Sequence, residues 1–294
     1  MASSAGEASS QRSPEPHPWS RHAFEWVPAR PPFRRITREQ AEAWNERGCF
    51  VLEDAFDAAT LAELLADFDP IEEKVTSFLR TRPGGKLFIA DAEAITFSTH
   101  LVTRFASARR FCAGPVFQDL CHDLVGPDAR LYWDQAVYKK PRSRKTFPWH
   151  QDNGYTYVEP QAYLTCWIPL VDATADNGCP WVVPGLHRLG TLRHWSTPIG
   201  FQCVEDPADA VAVPARAGSI VVFSSLTPHQ TGPNTTDAVR KAYIVQFAPD
   251  GASALRGEPG DASRTASPTA SPAREPQDDA GRQFLILKGG RAPE

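Results

Sequence analysis

The sequence lacks the features that mark several large protein classes. No stretch approaches the roughly 20 apolar residues needed to span a bilayer, and no apolar secretory segment opens the chain. The six cysteines form neither a CxxC pair nor a Cys/His zinc pattern. We therefore expect a protein of the reduced cytoplasm that has no membrane partner.

The sequence also lacks a concentrated charge of either sign. Its formal net charge is −4, and acidic and basic residues alternate along the chain, so no polybasic region is available for nucleic acid or anionic lipid. The expected partner is a small molecule. The sequence does not indicate the oligomeric state.

The composition divides the 294 residues into four parts. Residues 1–32 are rich in Ser, Pro, Arg and Glu and are predicted to be a disordered tail. Residues 33–250 are predicted to form one domain, a size that β-barrel enzymes reach as a single unit. Residues 251–282 are predicted to be a disordered linker. Residues 283–294 are strand-like and are expected to add to an edge of the main sheet, with pairing to a partner chain as the alternative.

Periodicity predicts a helical front followed by short strands. A capping box at Thr37 starts a first helix, a second starts near Asp57, and one or two more lie between Ser98 and Val125. Short apolar segments bounded by turn residues then predict strands over Cys49–Leu52, Leu131–Tyr138, Phe147–Asp152, Tyr163–Leu170, Pro180–Val183, Val211–Pro214, Ser219–Phe223 and Lys241–Phe247.

About eight strands after these helices predict a mainly β fold with flanking helices, a double-sheet jelly roll of the cupin-like type.

Thr191–Asp209 is long for a connection between strands and shows no regular periodicity. It is interpreted as an active-site lid, with a passive insertion as the alternative.

Two histidines and one carboxylate form the candidate metal site. His150 and Asp152 are two residues apart on a predicted strand, so their side chains point to the same side. His229 follows a β-rich stretch and precedes a turn, which makes it the best third ligand. This set leaves three adjacent positions open on octahedral Fe(II), as in non-haem oxygenases. A zinc hydrolase uses a similar set around one water, so that alternative stays open here.

Several further motifs occur in one order over roughly Thr37 to Asp250, and together they resemble the phytanoyl-CoA dioxygenase family of Fe(II)/2-oxoglutarate oxygenases. The residues that carry the resemblance are Gln135–Pro141, Trp149–Asp152, Trp167–Asp172, Asn177–Pro180, Pro184–Arg188, His229–Gly232, Asn234 and Arg240. The resemblance implies a double-stranded β-helix. It also implies Fe(II) as cofactor, held by His150, Asp152 and His229, with 2-oxoglutarate and O2 as co-substrates.

The resemblance also implies roles for residues around the metal. Arg240 would grip the 5-carboxylate of 2-oxoglutarate, and a planar guanidinium suits a carboxylate. Gln135, Lys139 and Trp167 would line the co-substrate pocket, although a core position explains Trp167 equally well. Substrate contacts are assigned to three residues that follow the metal pair, although aromatic packing also accounts for the tyrosines: Asn153, Tyr155 and Tyr157.

The expected reaction is oxidative decarboxylation of 2-oxoglutarate to succinate and CO2, coupled to hydroxylation of a small-molecule metabolite or natural-product intermediate. Desaturation, epoxidation and action on an acyl-CoA use the same iron site and remain alternatives. Asp152 disfavours a halogenase, in which that carboxylate is replaced by Ala or Gly. A jelly roll that binds a small ligand without catalysis is the alternative from another class.

Overall fold

A computed structural model describes residues 13–20, 23–257 and 272–293. Its helices are α1 (Arg38–Arg47), α2 (Ala58–Arg80), α3 (Ala106–Cys112), α4 (Pro115–Leu124) and α5 (Asp152–Tyr155), with 3-10 turns at Pro83–Gly85, Leu101–Thr103 and Leu186–Leu189. Its strands are β1 (Cys49–Leu52), β2 (Lys86–Leu87), β3 (Ala90–Asp91), β4 (Ile95–Thr99), β5 (Ala129–Lys139), β6 (Val158–Glu159), β7 (Leu164–Pro169), β8 (Pro180–Val182), β9 (Trp195–Thr197), β10 (Gly200–Gln202), β11 (Val211–Ala212), β12 (Ile220–Ser224), β13 (His229–Thr231), β14 (Arg240–Pro249), β15 (Ser253–Arg256), β16 (Ala273–Pro276) and β17 (Leu285–Leu287).

The first helix begins and ends where local chemistry requires. The Gln40 amide donates to Thr37 Oγ1 and the Thr37 amide donates to Gln40 Oε1, so the predicted capping box is confirmed. Gly48 ends the helix at φ +78°, a conformation that favours glycine. A side chain at Gly48 would also collide with Thr227 Oγ1, only 2.4 Å from the Cβ position. The helix end therefore packs directly against the loop that precedes β13.

The main sheet is antiparallel and has nine strands in the order β1-β12-β7-β14-β5-β4-β3-β2, with β17 also paired to β5. Alternation along its central strands separates two buried faces. Cys166, Val222 and Tyr243 belong to the large core beneath the helices. Trp167 and Ile244 belong to a second core on the opposite face, inside the barrel.

A smaller sheet, β11-β8-β13, lies opposite the main one and carries His229 on β13. A single antiparallel bridge pairs His150 with His229 and extends this sheet by one residue. The two sheets confirm the predicted jelly roll with helices on its outer face.

One predicted strand is wrong. Phe147–Asp152 was expected to be a continuous strand, but only His150 forms a β-bridge within that range, the Phe147 amide makes one isolated hydrogen bond to the Thr231 carbonyl, and Asp152 already begins α5. The number of strands is also higher than expected, because short hairpins such as β9-β10 lie in the Thr191–Asp209 loop that carried no clear periodicity. Two-residue and three-residue strands are too short to leave a readable alternation.

The described residues near the N-terminus contact the barrel, contrary to the disorder expected for 1–32. The His17 amide donates to the Thr191 carbonyl at 2.8 Å, and the Arg193 amide donates to the Glu15 carbonyl at 2.7 Å. The His17 ring also packs 4.6 Å from the ring of Tyr157. The polar composition did not predict these contacts, because hydrogen bonds between backbone atoms do not depend on residue type. The prediction for residues 1–12 and 21–22 lies outside the described residues.

The described parts of 251–282 likewise contain strands. β15 pairs with both β16 and β6, and β17 pairs with β5 at the edge position expected for the C-terminal segment. The disorder expected for residues 258–271 lies outside the described part of the chain. Among the described residues, no helix has the length and apolar character needed to cross a bilayer.

Asp123 on α4 provides a test of how the chain before α1 is anchored. Its fully buried carboxylate accepts the backbone amides of Arg34, Arg35 and Ile36 at 2.8, 2.8 and 3.1 Å. Asp123→Ala leaves three donors unpaired, so the free energy of unfolding should fall by about 2–4 kcal/mol in urea denaturation. Asp119→Ala on the same helix is the control, and an equal effect from both changes would contradict this anchoring.

Candidate metal centre

The two candidate imidazole ligands hold each other through the backbone. The His150 amide donates to the His229 carbonyl at 2.9 Å, and the His229 amide donates to the His150 carbonyl at 2.8 Å. This reciprocal pair places the two ring centroids 4.2 Å apart. Both residues are buried, with 7% of their surface exposed, so the rings have little freedom to separate.

Asp152 reaches the same point from the first residue of α5. Its Oδ1 lies 3.9 Å from His150 Nε2 and 3.7 Å from His229 Nε2. One ligand atom from each of the three residues lies within 4.8 Å of the other two, close enough for all three to bind one ion. The structure thus brings together the three residues predicted from the sequence, although through a strand-to-helix transition instead of a strand.

The hydrogen bonds of the two rings set the tautomers that a metal requires. His150 Nδ1 lies 2.8 Å from the Pro148 carbonyl and His229 Nδ1 lies 3.0 Å from the Thr227 carbonyl. A carbonyl only accepts, so each Nδ1 carries the proton and each Nε2 keeps a lone pair for the ion. Burial and the neighbouring His229 ring also hold the pKa of His150 well below its usual range, which favours the neutral ligand form.

Gln151, between the two ligands, ties the metal segment to two loops. Its Nε2 donates to the Gly190 and Leu226 carbonyls at 2.9 and 2.6 Å, and its Oε1 accepts the Leu192 amide at 2.6 Å. Its backbone amide donates to His194 Nε2 at 3.0 Å. Gln151 lies in the Trp149–Asp152 motif without a predicted role of its own, and His194 lies in none of the motifs. Their partners are mostly backbone atoms, which leave no trace in a side-chain pattern.

Arg240 is a buried cation with spare donors. Only 1% of its surface is exposed, and Nη1 donates to the Val137 carbonyl at 3.3 Å. Nε and Nη2 have no hydrogen-bond partner in the described part of the protein. The guanidinium carbon lies 5.4 Å from the centre of the Trp167 ring, and burial lowers the pKa of Arg240 to about 10. A buried guanidinium with two free donors fits a carboxylate ligand.

Lys139 pairs directly with Arg240 across β5 and β14. Its Nζ donates to the Lys145 carbonyl and the Thr231 carbonyl, both at 3.2 Å, and also contacts Thr231 Oγ1 and the Gly232 carbonyl. Burial and the nearby Arg240 lower the pKa of Lys139 to about 6. The oxygens that contact Nζ act in the opposite direction, because they stabilise the protonated amine. Lys139 therefore braces the chain on either side of the metal ligands, and its donors are already engaged by the protein.

The remaining predicted residues divide into two groups. Tyr155 borders the metal site: its ring lies 5.2 Å from the His150 ring, and its hydroxyl accepts the Phe201 amide at 3.1 Å. Asn153 and Tyr157 contact other parts of the protein. Asn153 is fully buried and bonds to Val158 and Thr191, while Tyr157 packs against the N-terminal segment.

Gln135 and Trp167 lie on the central strands of the main sheet. Gln135 is half-buried on β5, two residues before Val137, whose carbonyl accepts from Arg240. Trp167 is buried on β7 beneath the Arg240 guanidinium. Arg240 and Trp167 thus lie side by side, and their roles toward the co-substrate stay predictions.

The fold and this centre define a class, the jelly-roll oxygenases that bind non-haem iron through two histidines and one carboxylate. The profile of the family described as phytanoyl-CoA dioxygenase (PhyH) matches residues 44–242, and the chain belongs to that family.

Individual proteins match this chain at low sequence identity. A phytanoyl-CoA dioxygenase of Arabidopsis thaliana is 31% identical over 37% of this chain and 41% of its own, so that match spans less than half of the plant protein. A methylphosphonate hydroxylase of Gimesia maris is 26% identical over 72% of this chain and 80% of its own. The epimerase SnoN, solved with Fe3+, alpha ketoglutarate and nogalamycin RO, has a TM-score of 0.64 at 21% identity, covering 84% of this chain and 97% of that one. At 21% identity, the similarity to SnoN shows a shared fold only.

Arg240→Lys tests the carboxylate site with 2-oxoglutarate as the probe. Lysine keeps the charge but not the planar fork, so the dissociation constant of 2-oxoglutarate should rise at least about tenfold, measured by calorimetry on Mn(II)-loaded protein. Arg130→Lys is the matched control, because Arg130 pairs with Asp250 on another part of the sheet. Unchanged affinity in Arg240→Lys would remove Arg240 from the co-substrate site.

Proposed function

We propose that the protein is an Fe(II)- and 2-oxoglutarate-dependent dioxygenase that hydroxylates a small-molecule metabolite or natural-product intermediate and releases succinate and CO2. The observation that carries the proposal is a three-residue metal site combined with a buried guanidinium that has unused donors. A zinc hydrolase needs the first feature but has no use for the second.

Each residue of the site has a separate task in this proposal. His150 and His229 offer Nε2 lone pairs, and Asp152 offers Oδ1, to one iron ion. Arg240 donates from Nε and Nη2 to the 5-carboxylate of 2-oxoglutarate, while the Trp167 ring supports the guanidinium. When bound, iron and 2-oxoglutarate supply the oxidising chemistry, and the protein supplies orientation and exclusion of water.

Lys139 supports the link between the metal ligands and the carboxylate site. Its Nζ contacts Thr231, two residues after His229, and its backbone pairs with Arg240. One buried side chain therefore connects the strand of a metal ligand to the strand of the carboxylate-binding arginine. This connection would keep the two binding points of 2-oxoglutarate at a constant separation.

Two relatives support a small-molecule substrate. The methylphosphonate hydroxylase acts, by its name, on a small anion, and SnoN was solved with nogalamycin RO, an organic small molecule. By analogy we place the substrate of this protein among small metabolites, with an acyl-CoA as the alternative.

A cleft beside the metal centre supports an entrance for such a substrate. One wall is Phe147, whose ring lies 4.9 Å from the His150 ring. At the mouth, Phe88 and Ile199 are 75% and 38% exposed. Three lysines line the cleft: Lys86 and Lys145 share the single carboxylate of Asp91, and the buried Lys139 contacts backbone oxygens. The cleft is therefore net positive next to apolar surface, so the favoured substrate has an apolar body and an anionic group.

Succinate formation tests the proposed reaction. Protein loaded with Fe(II) should convert 2-oxoglutarate to succinate slowly in air without a substrate. Zn(II)-loaded protein and the Asp152→Ala variant should not, because one lacks redox chemistry and the other lacks a ligand. Coupled products are then sought by mass: one added oxygen indicates hydroxylation, and loss of two hydrogens indicates desaturation.

Absence of succinate in every sample, together with absence of 2-oxoglutarate binding, would contradict the enzyme and favour a jelly roll that only binds ligands. A hydrolytic product from the Zn(II)-loaded protein would favour the hydrolase.

Octylphosphonate and 1-octanol test the cleft as matched probes. The anionic probe should bind roughly three to ten times more tightly than the neutral one, because a half-exposed lysine contributes only modestly. Lys145→Gln should remove this difference, and Phe88→Ser should weaken both probes in calorimetry. Equal binding of the two probes by the unmodified protein, or no binding of either, would contradict the cleft as an entrance for anionic substrates.

A further inference from the structure

We propose that Thr165 keeps Asp152 a one-oxygen ligand and thereby preserves the third open position on the ion. The inference rests on the metal site of the proposed function. It assigns a positioning role to a residue that neither the motif nor the family resemblance singled out.

The two oxygens of Asp152 face different partners. Oδ2 accepts a hydrogen bond of 2.6 Å from Thr165 Oγ1. Oδ1 faces the two imidazoles, 3.9 Å from His150 Nε2 and 3.7 Å from His229 Nε2. The carboxylate therefore presents one oxygen to the ion while the hydroxyl holds the other.

The direction of the Thr165 hydroxyl is determined by its neighbours. Its other close partner is Gln246 Nε2, at 3.3 Å, and an amide nitrogen only donates. Oγ1 must therefore accept from Gln246 and give its single proton to Asp152. Thr165 and Gln246 are direct partners in the register of β7 and β14, and 0% and 6% of their surfaces are exposed. A β-branched side chain in a sheet has few rotamers, so this geometry is rigid.

The number of carboxylate oxygens on the ion decides what else can bind. Two imidazoles and one oxygen would fill three of the six positions that Fe(II) offers, which would leave room for a bidentate keto acid and for O2. Carboxylates also bind metals through both oxygens when nothing prevents it. A two-oxygen Asp152 would occupy a fourth position, so that the keto acid would fill the site and leave no place for O2.

A simpler role for Thr165 would be to satisfy a buried carboxylate oxygen. Both roles predict that loss of the hydroxyl lowers stability and metal affinity. Only the proposed role predicts a change in the number of water molecules on the bound ion. That number is the readout that separates them.

The experiment counts exchangeable waters on bound Mn(II) by water-proton relaxation. The unmodified protein should hold about three, and about one after 2-oxoglutarate is added. Thr165→Val keeps the shape but loses the donor, so the counts should fall to about two and then to none. Thr165→Ser keeps the hydroxyl and should show the water counts of the unmodified protein, about three without and about one with 2-oxoglutarate. Thr96→Val is the matched control, because Thr96 is 1% exposed and donates to Glu72 away from the metal.

Three waters in Thr165→Val, counted at saturating Mn(II), would overturn the inference, since Thr165 would then only satisfy a buried carboxylate oxygen. If the valine variant does not fold or does not bind Mn(II), Thr165→Ala makes the same comparison. Failure of the unmodified protein to bind Mn(II) would instead contradict the proposed function. Normal water counts without any succinate formation would remove the enzyme activity and leave the role of Thr165 standing.

Discussion

The reciprocal backbone pair between His150 and His229 is the constraint on which the metal centre depends. It joins two segments that are far apart in the chain and places their rings side by side. Each histidine then bonds through Nδ1 to the carbonyl two residues before it, Pro148 in one case and Thr227 in the other. The same local geometry is thus used twice, and both Nε2 atoms face the point that Asp152 reaches from a helix.

Beside this pair lies a buried cation, Arg240, that no carboxylate among the described residues neutralises directly. Arg240 keeps two unused donors, and the neighbouring Lys139, whose pKa burial lowers to about 6, contacts backbone and hydroxyl oxygens. Burying such groups is unfavourable without a partner, so the site is organised in advance for an anion. A bound carboxylate would satisfy the free donors of Arg240, so ligand binding and the stability of the barrel would be coupled.

Much of the fold could be predicted from the sequence, because the patterns that indicate its helices and strands lie within short stretches of the chain. The Thr37 capping box and the apolar segments that become β7, β12 and β14 follow from neighbouring residue types, and two short motifs supplied the three ligands that the structure brings together. The helix that begins at Asp152 was not predicted, because a four-residue helix is too short to show a helical periodicity. The contacts of Lys139 with backbone carbonyls could not be predicted, since carbonyls have no sequence signature, and its place in the co-substrate pocket stays a prediction. Thr165 had a signal that was overlooked: it shares a strand face with Trp167.

The described ends of the chain complete the barrel from both sides. Glu15 and His17 pair with the loop that carries His194, and β15 and β17 pair with β6 and β5. Glu15, His17, β15 and β17 lie outside the 44–242 range that matches the family, whereas the parts they pair with lie inside it. A chain cut to residues 44–242 would therefore lose strands and backbone hydrogen bonds that belong to the described barrel.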